Sequence, residues 1–199
     1  MADIIYLVRH AAPPAEKHGR YWGHADPGVD LAALAGIASL ADLAWRPPSR
    51  LLTSPLARAG LTAAELAPRF GLIPETDAEL AEADFGEFDG LTFGEIEARY
   101  PEAAREWGEQ LDAFAFPGGE SVPAFLERAE RAWRRCIELP DAVVAVVTHG
   151  GIISAWTSLF LEVPPERRFI FRPLHGSLTA FTRKKDAAGW ELTCFNNRP

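Results

Sequence analysis

The sequence predicts an α/β fold: a three-layer sandwich with a mostly parallel central sheet covered by helices on both faces. Three observations carry that expectation. Ile4 to Val8 and Val143 to Val147 are continuous apolar runs of strand length, as expected of strands buried on both faces. Between and beyond them, helix-like and strand-like stretches alternate. No repeat, linker or low-complexity tract divides the 199 residues, so one domain spanning 1–199 is expected.

The first apolar run, Ile4-Ile5-Tyr6-Leu7-Val8, meets Arg9-His10 and then Pro13-Pro14, which cannot continue a central strand. A cation and an imidazole therefore stand at a strand's carboxyl end, where open α/β sheets bind ligands. They fit either an anion site or a solvated pair at an element boundary. Residues 15–30 read as a loop mixing cations and rings, among them Arg20, Tyr21 and Trp22. It suits a binding lid and equally an ordinary surface connection. Asp30 is placed to cap a helix from Leu31 to about Trp45, ended by Pro47-Pro48. A short strand at 50–53 precedes Ser54-Pro55, read as N-cap and first-turn proline of a helix to Phe70. Arg58 would lie in its first turn. A cation at the positive end of a helix is unfavourable unless an anion is shared there or the side chain reaches water.

Residues 72–76 suit an edge strand, and Leu80 to Gly90 forms a loop dense in carboxylates, rings and glycines. It supplies candidate general acids, or a solvated acidic surface. Thr92 and Glu95 have the spacing of a capping box for a helix through Tyr100. A further helix follows Pro101 to about Phe114. After the turn Pro117-Gly118-Gly119-Glu120-Ser121, Ser121 would cap a long helix to Leu139. The second apolar run ends in Thr148-His149-Gly150-Gly151, so a second strand delivers a His at its carboxyl end. The two glycines let the backbone approach a ligand before a helix expected from Ile152 to Leu161. Strands at 177–182 and 190–195, joined by a charged turn at 183–189, close the chain and could pair antiparallel. His175 just before them fits a structural role first and a place in the same crevice second. If the two apolar strands are parallel neighbours, His10 and His149 share a crevice.

Composition narrows the partners. A net charge of −8 argues against a nucleic-acid or anionic-membrane surface, while leaving room for a local cationic pocket. Cys136 and Cys194 lack metal-ligand spacing and read as reduced. No segment has the length of a membrane span or the layout of a signal peptide, so a cytoplasmic location is expected. Oligomeric state stays open, a homodimer being one option.

Taken in order, Val8-Arg9-His10, Thr53-Ser54-Pro55-Leu56-Ala57-Arg58-Ala59, Leu80 to Gly90, Pro117 to Ser121 and Val147-Thr148-His149-Gly150-Gly151 resemble the motifs of the histidine phosphatase superfamily, also called phosphoglycerate mutase-like. The resemblance covers essentially the whole chain. It implies that His10 is a nucleophile forming a phosphohistidine, and that Glu82 protonates the leaving oxygen and later serves as base for water. It also implies that Arg9, Arg58 and His149, with Gly150, hold the phosphoryl oxygens. No cofactor or metal is implied, and the partner is a small phosphorylated substrate. Residues 19–24, including Arg20 and Tyr21, are loosely similar to the corresponding loop of α-ribazole phosphatases and give a candidate substrate contact.

The sequence departs from the family pattern at Ala11, where Gly is usual, at Pro13, where Thr is usual, and at Ala81 and Ala155, where Arg is frequent. Residues 91–116 are largely acidic where mutases carry a basic insertion, which favours a phosphatase over a phosphoglycerate mutase-type transferase. A catalytically weak phosphate-ester binder is the reading that Ala11 and Pro13 motivate. A metal hydrolase using His10, His149 and acids such as Glu82 or Asp84 lacks ligand pairs at suitable spacing.

Overall fold

The alternation of the two apolar runs is resolved in a computed structural model, which describes every residue except 165, 166, 168 and 186–188. β1 (Ile4–Arg9) and β4 (Val143–Thr148) lie side by side and parallel, with Val8 opposite Val147 and Arg9 opposite Thr148. β2 (Arg50–Thr53) flanks β4 in parallel, and the two-residue β3 (Glu75–Thr76) flanks β2. On the other side, β5 (Leu178–Arg183) runs antiparallel to β1, and β6 (Trp190–Asn197) antiparallel to β5. The order is β3-β2-β4-β1-β5-β6, a mixed, mostly parallel sheet.

Because successive strand residues point to opposite faces, each apolar strand builds two cores at once. Ile5, Leu7, Val144 and Val146 pack with α5 (Val122–Glu138) and α6 (Gly150–Phe160) on one face. Ile4, Tyr6, Val8, Ala145 and Val147 pack with α2 (Ala57–Phe70) and residues 37–43 on the other. The expected three-layer sandwich is thus formed. Its carboxyl edge receives β1, β2 and β4 together.

Several boundaries differ from the sequence expectation, each for a local reason. The helix expected over 31–45 is α1 (Leu31–Ala35) followed, past Gly36, by a tighter 3-10 segment at Ile37–Leu43. Glycine's conformational freedom makes a helix weakest there. α2 begins at Ala57 rather than beside Pro55, since Leu56 is extended (φ −72°, ψ 135°). Ser54 is therefore not its cap, and its hydroxyl turns elsewhere. α3 (Phe93–Arg99) carries the expected Thr92–Glu95 capping box, and Asp30 caps α1 as expected. α4 (Pro101–Glu109) stops short of Phe114, with a 3-10 turn at Leu111–Ala113 in between. Ser121 does cap α5. α6 starts two residues early, at Gly150, so His149 is its N-cap residue. The charged turn expected at 183–189 falls partly outside the described residues. Cys136 and Cys194 are free thiols, and burial pushes the Cys136 thiol up to about 12. Among the described residues, no helix is long and apolar enough to cross a membrane.

Candidate active site

Parallel pairing of β1 and β4 brings the two histidines together: the His10 and His149 rings are 5.1 Å apart. His10 ends the strand at 5% exposure, and its backbone N–H donates to Thr148 O (3.0 Å). Its ring is held from both sides. Nδ1 lies 2.7 Å from Ala11 O, and Arg58 Nε donates to Nε2 across 3.3 Å. A guanidinium only donates, so Nε2 must present its lone pair and Nδ1 must carry the hydrogen given to Ala11 O. Burial, followed by the charge of Arg9, His175 and Arg58, pushes the His10 pKa well below the usual imidazole range. His10 is therefore a neutral imidazole with a defined tautomer.

Arg58 is 1% exposed, in the first turn of α2. Its fork donates to Ala25 O, Trp22 O and Gly23 O at 3.0, 3.0 and 2.7 Å. That loop is itself fixed by Asp89, whose carboxylate accepts from Gly23 N and Ala25 N. A chain of bonds thus runs from Asp89 through the loop to Arg58 and His10. Nε is the Arg58 atom directed at His10. Arg9 donates from Nη1 to Pro173 O at 2.6 Å, while its buried Nε has no partner in the protein. Desolvation lowers the pKa of both arginines.

His149 is fully buried, with its pKa likewise driven well down by burial and then by His10. Its Nε2 lies 2.7 Å from Ser54 Oγ, which also accepts from Leu56 N. Its Nδ1 is buried without a protein partner. Buried polar atoms are rarely left so.

Glu82 stands across the crevice at 7% exposure. Oε1 accepts from Ala83 N (3.1 Å) and Oε2 from Gly151 N (3.0 Å), so the first turn of α6 holds the carboxylate. A Cβ on Gly151 would come within 2.2 Å of Oε1, which explains the glycine there; one on Gly150 would sit 3.2 Å from Arg9 Cζ.

The acid loop is fastened from three directions. Thr148 Oγ1 donates to Leu80 O (2.7 Å). Glu87 N donates to Pro117 O and Glu120 N to Asp84 O, which brings the two glycine-bearing turns into contact at Gly86 (φ +52°) and Gly119. Arg128 of α5 donates to the carbonyls of Glu79, Ala81 and Glu82, and its Nε and Nη2 make a two-point pair with Glu120 at 3.0 and 2.7 Å. Sequence reading missed Arg128, because an arginine on an amphipathic helix ordinarily signals a solvated face.

The resulting cleft, about 490 Å³, is lined by Arg9, His10, Glu82, Gly150, Gly151 and His175 together with residues of the 13–27 loop. Arg58 and His149, both buried, contact or neighbour His10 and are not among the described lining residues. His175, for which the crevice is the second of the two sequence readings, is in the site: its ring is 5.1 Å from His10. β5 runs antiparallel to β1, so its entry lies beside the exit of β1. Burial, then Arg9, lowers the His175 pKa to about 3. Arg20 reaches the cleft but is engaged by Glu95 Oε2 (2.7 Å) and Gly90 O (2.8 Å), anchoring the loop to α3. Tyr21 lines the cleft, its ring 4.9 Å from Trp107. Pro13 also lines it, and Ala11 N donates to Thr62 Oγ1 (2.9 Å). Among the described residues, no group of three or more His, Cys, Asp or Glu could hold a metal ion.

A sandwich with two histidines, two arginines and a carboxylate at its carboxyl edge defines the class of α/β enzymes that handle phosphate esters. More particularly, the chain belongs to the histidine phosphatase superfamily (branch 1), whose family model matches residues 5–198. It is 32% identical over 174 residues to a glucosyl-3-phosphoglycerate phosphatase of Mycobacterium tuberculosis, covering 82% of this chain and 77% of that one. It is also 32% identical over 154 residues to phosphoserine phosphatase 1 of Hydrogenobacter thermophilus, covering 73% and 70%. In fold it resembles the α-ribazole phosphatase of Shigella flexneri, with a TM-score of 0.87 at 24% identity over 98% of this chain and 96% of that one. Family and relatives together support phosphatase activity.

Proposed function

We propose that this chain is a metal-independent phosphomonoester hydrolase that works through a phosphohistidine on His10. The observation that carries the reading is the fixed tautomer: Nδ1 gives its hydrogen to Ala11 O, and burial among cations keeps Nε2 unprotonated. A buried imidazole lone pair facing a cationic cleft is a competent nucleophile for an electrophilic phosphorus.

In the first step the Arg58 Nε–H bond to His10 Nε2 is released, Nε2 bonds to phosphorus as the ester P–O bond breaks, and Glu82 gives a proton to the departing alkoxide. In the second, Glu82 takes a proton from a water whose oxygen displaces His10 and releases inorganic phosphate. Arg9 and Arg58 balance the charge on the phosphoryl oxygens, as phosphoryl transfer requires. In the tautomer that carries its hydrogen on Nδ1, His149 accepts from the Ser54 hydroxyl at Nε2 and presents Nδ1–H to the anion. Arg20 and Tyr21 form the outer wall. The phosphatase names of the relatives, on a glycerate ester and on an amino-acid ester, support hydrolysis and leave the alcohol unspecified.

The test is rapid quenching with labelled substrate. An acid-labile, base-stable phosphoryl adduct is expected on wild type, and none on His10→Ala, which should also lose turnover. Activity should persist after exhaustive chelation. An adduct on another residue, or activity lost to a chelator and restored by Zn²⁺ or Mg²⁺, overturns the proposal.

A further inference from the structure

A second chamber of about 630 Å³ opens beside the phosphate cleft, and the two share Tyr21, Glu82, Phe85 and Gly151 as walls. Glu82 is thus the hinge between them. Its other walls are strongly apolar: Phe93, Trp107, Leu111, Phe116 and Phe169 surround it, and Glu82 and Arg172 are the charged residues among the described lining. Arg172 is an exposed residue of this lining, and its charge acts on Tyr21 at the wall the two spaces share. The rings form a locked cluster, with Tyr21 and Trp107 at 4.9 Å and Phe85 and Phe116 at 4.9 Å, both edge-to-face.

Resting on the phosphatase reading above, we propose that this chamber receives the alcohol portion of the substrate, and that the substrate is the phosphomonoester of a bulky apolar alcohol, preferentially an aromatic one. An ester held with phosphorus at His10 and its bridging oxygen at Glu82 has the alcohol carbon at the doorway between the two spaces. An aromatic body continuing through it meets ring faces and edges in favourable orientations and leaves water. A sugar or glycerate would instead bring hydroxyls against walls that offer few partners, and a buried hydroxyl without one is penalised. The segment 93–122, which supplies six of the fourteen described lining residues, is also where the sequence is acidic rather than basic, which disfavours a second phosphate or a polyanionic alcohol.

The experiment compares propyl phosphate with 3-phenylpropyl phosphate, whose leaving groups differ little in basicity, and adds glucose 6-phosphate and glycerol 3-phosphate. The phenylpropyl ester is expected to exceed the propyl ester at least tenfold in kcat/KM, and to exceed both polyols more strongly. Phe93→Ser and Phe169→Ser, on the half-exposed wall, should shrink the phenylpropyl-to-propyl ratio below threefold. Competition between the corresponding non-hydrolysable phosphonates, followed by calorimetry, reads the same preference without turnover. Turnover with equal efficiency for both esters, or a preference for the polyols, overturns the assignment. If no ester is turned over, the hydrolase reading fails. The phosphonates then decide the chamber alone: tighter binding of the phenylpropyl compound upholds it, and equal binding ends it.

Discussion

At the scale of single residues the site depends on atoms that leave no slack. Gly151 is the clearest case, because its N–H holds Glu82 Oε2 while its missing side chain makes room for Oε1. Gly151→Ala should displace the carboxylate and leave His10 untouched. General acid catalysis contributes ~10²–10⁴-fold, so partial loss of alignment should lower kcat on an alkyl phosphate by about 10–100-fold. p-Nitrophenyl phosphate, whose leaving group needs little protonation, should lose only a few-fold in the phosphorylation step. Steady-state and quenched-flow rates on both esters check this; equal losses on both would mean that Glu82 is not the proton donor. The same scale shows what sequence reading can and cannot reach. His10 and His149 were legible because each directly ends an apolar run, and strand ends place residues with little freedom. His175 was only half legible, as the second of two readings, since its place depends on β5 running antiparallel beside β1 rather than pairing with β6 alone. Ser54 was read as a helix cap from a local Ser-Pro signal, but the extended Leu56 frees its hydroxyl for His149.

At the scale of elements, helix α5 fixes the loop that carries Glu82 although no α5 residue lines the phosphate cleft. Arg128, 46 residues from Glu82 in sequence, gathers three consecutive-region carbonyls of the acid loop and pairs with Glu120 of the glycine turn. Both partners are mostly shielded, with side chains 15% and 18% exposed. Arg128→Met keeps the apolar stem and removes the five donors, and should cost about 2–4 kcal/mol by leaving Glu120 and the loop carbonyls unpaired. A purely structural loss would lower stability alone. A positioning role should in addition lower kcat on alkyl phosphates more than on p-nitrophenyl phosphate, with partial recovery in Arg128→Lys. Denaturant unfolding and paired kinetics separate the two; unchanged ester selectivity would reduce Arg128 to a structural clamp. Such a clamp is hidden in sequence by its nature. The Thr92–Glu95 box and the Ser121 cap were readable because their partners are three residues apart, whereas Arg128 and its acceptors meet only after the sheet has formed.

At the scale of the whole molecule, the fold holds a cluster of neutral imidazoles among cations, and this sets its response to acid. His10 faces Arg9, His175 and Arg58; His149 faces His10, Arg58, Arg9 and Arg128; His175 faces Arg9, His18 and Arg58. All three are held below the ordinary value of 6.5, His175 at about 3. In the unfolded chain the same groups take protons near 6.5. Below that pH the unfolded chain therefore binds more protons than the native one. The native state keeps its full margin above about pH 6.5 and loses it as the pH falls, until its own histidines take protons, near 3 for His175. With all three neutral in the folded chain, the loss between pH 7.5 and 5.5 is on the order of 4 kcal/mol, in a window where ordinary carboxylates stay almost wholly ionised. His175→Asn removes one of the three and should recover about one third of that loss. Urea unfolding at the two pH values measures it. A wild-type protein as stable at pH 5.5 as at 7.5, or a variant with the wild-type pH slope, would mean that the imidazoles are already charged in the folded enzyme, and a charged His10 could not be its nucleophile.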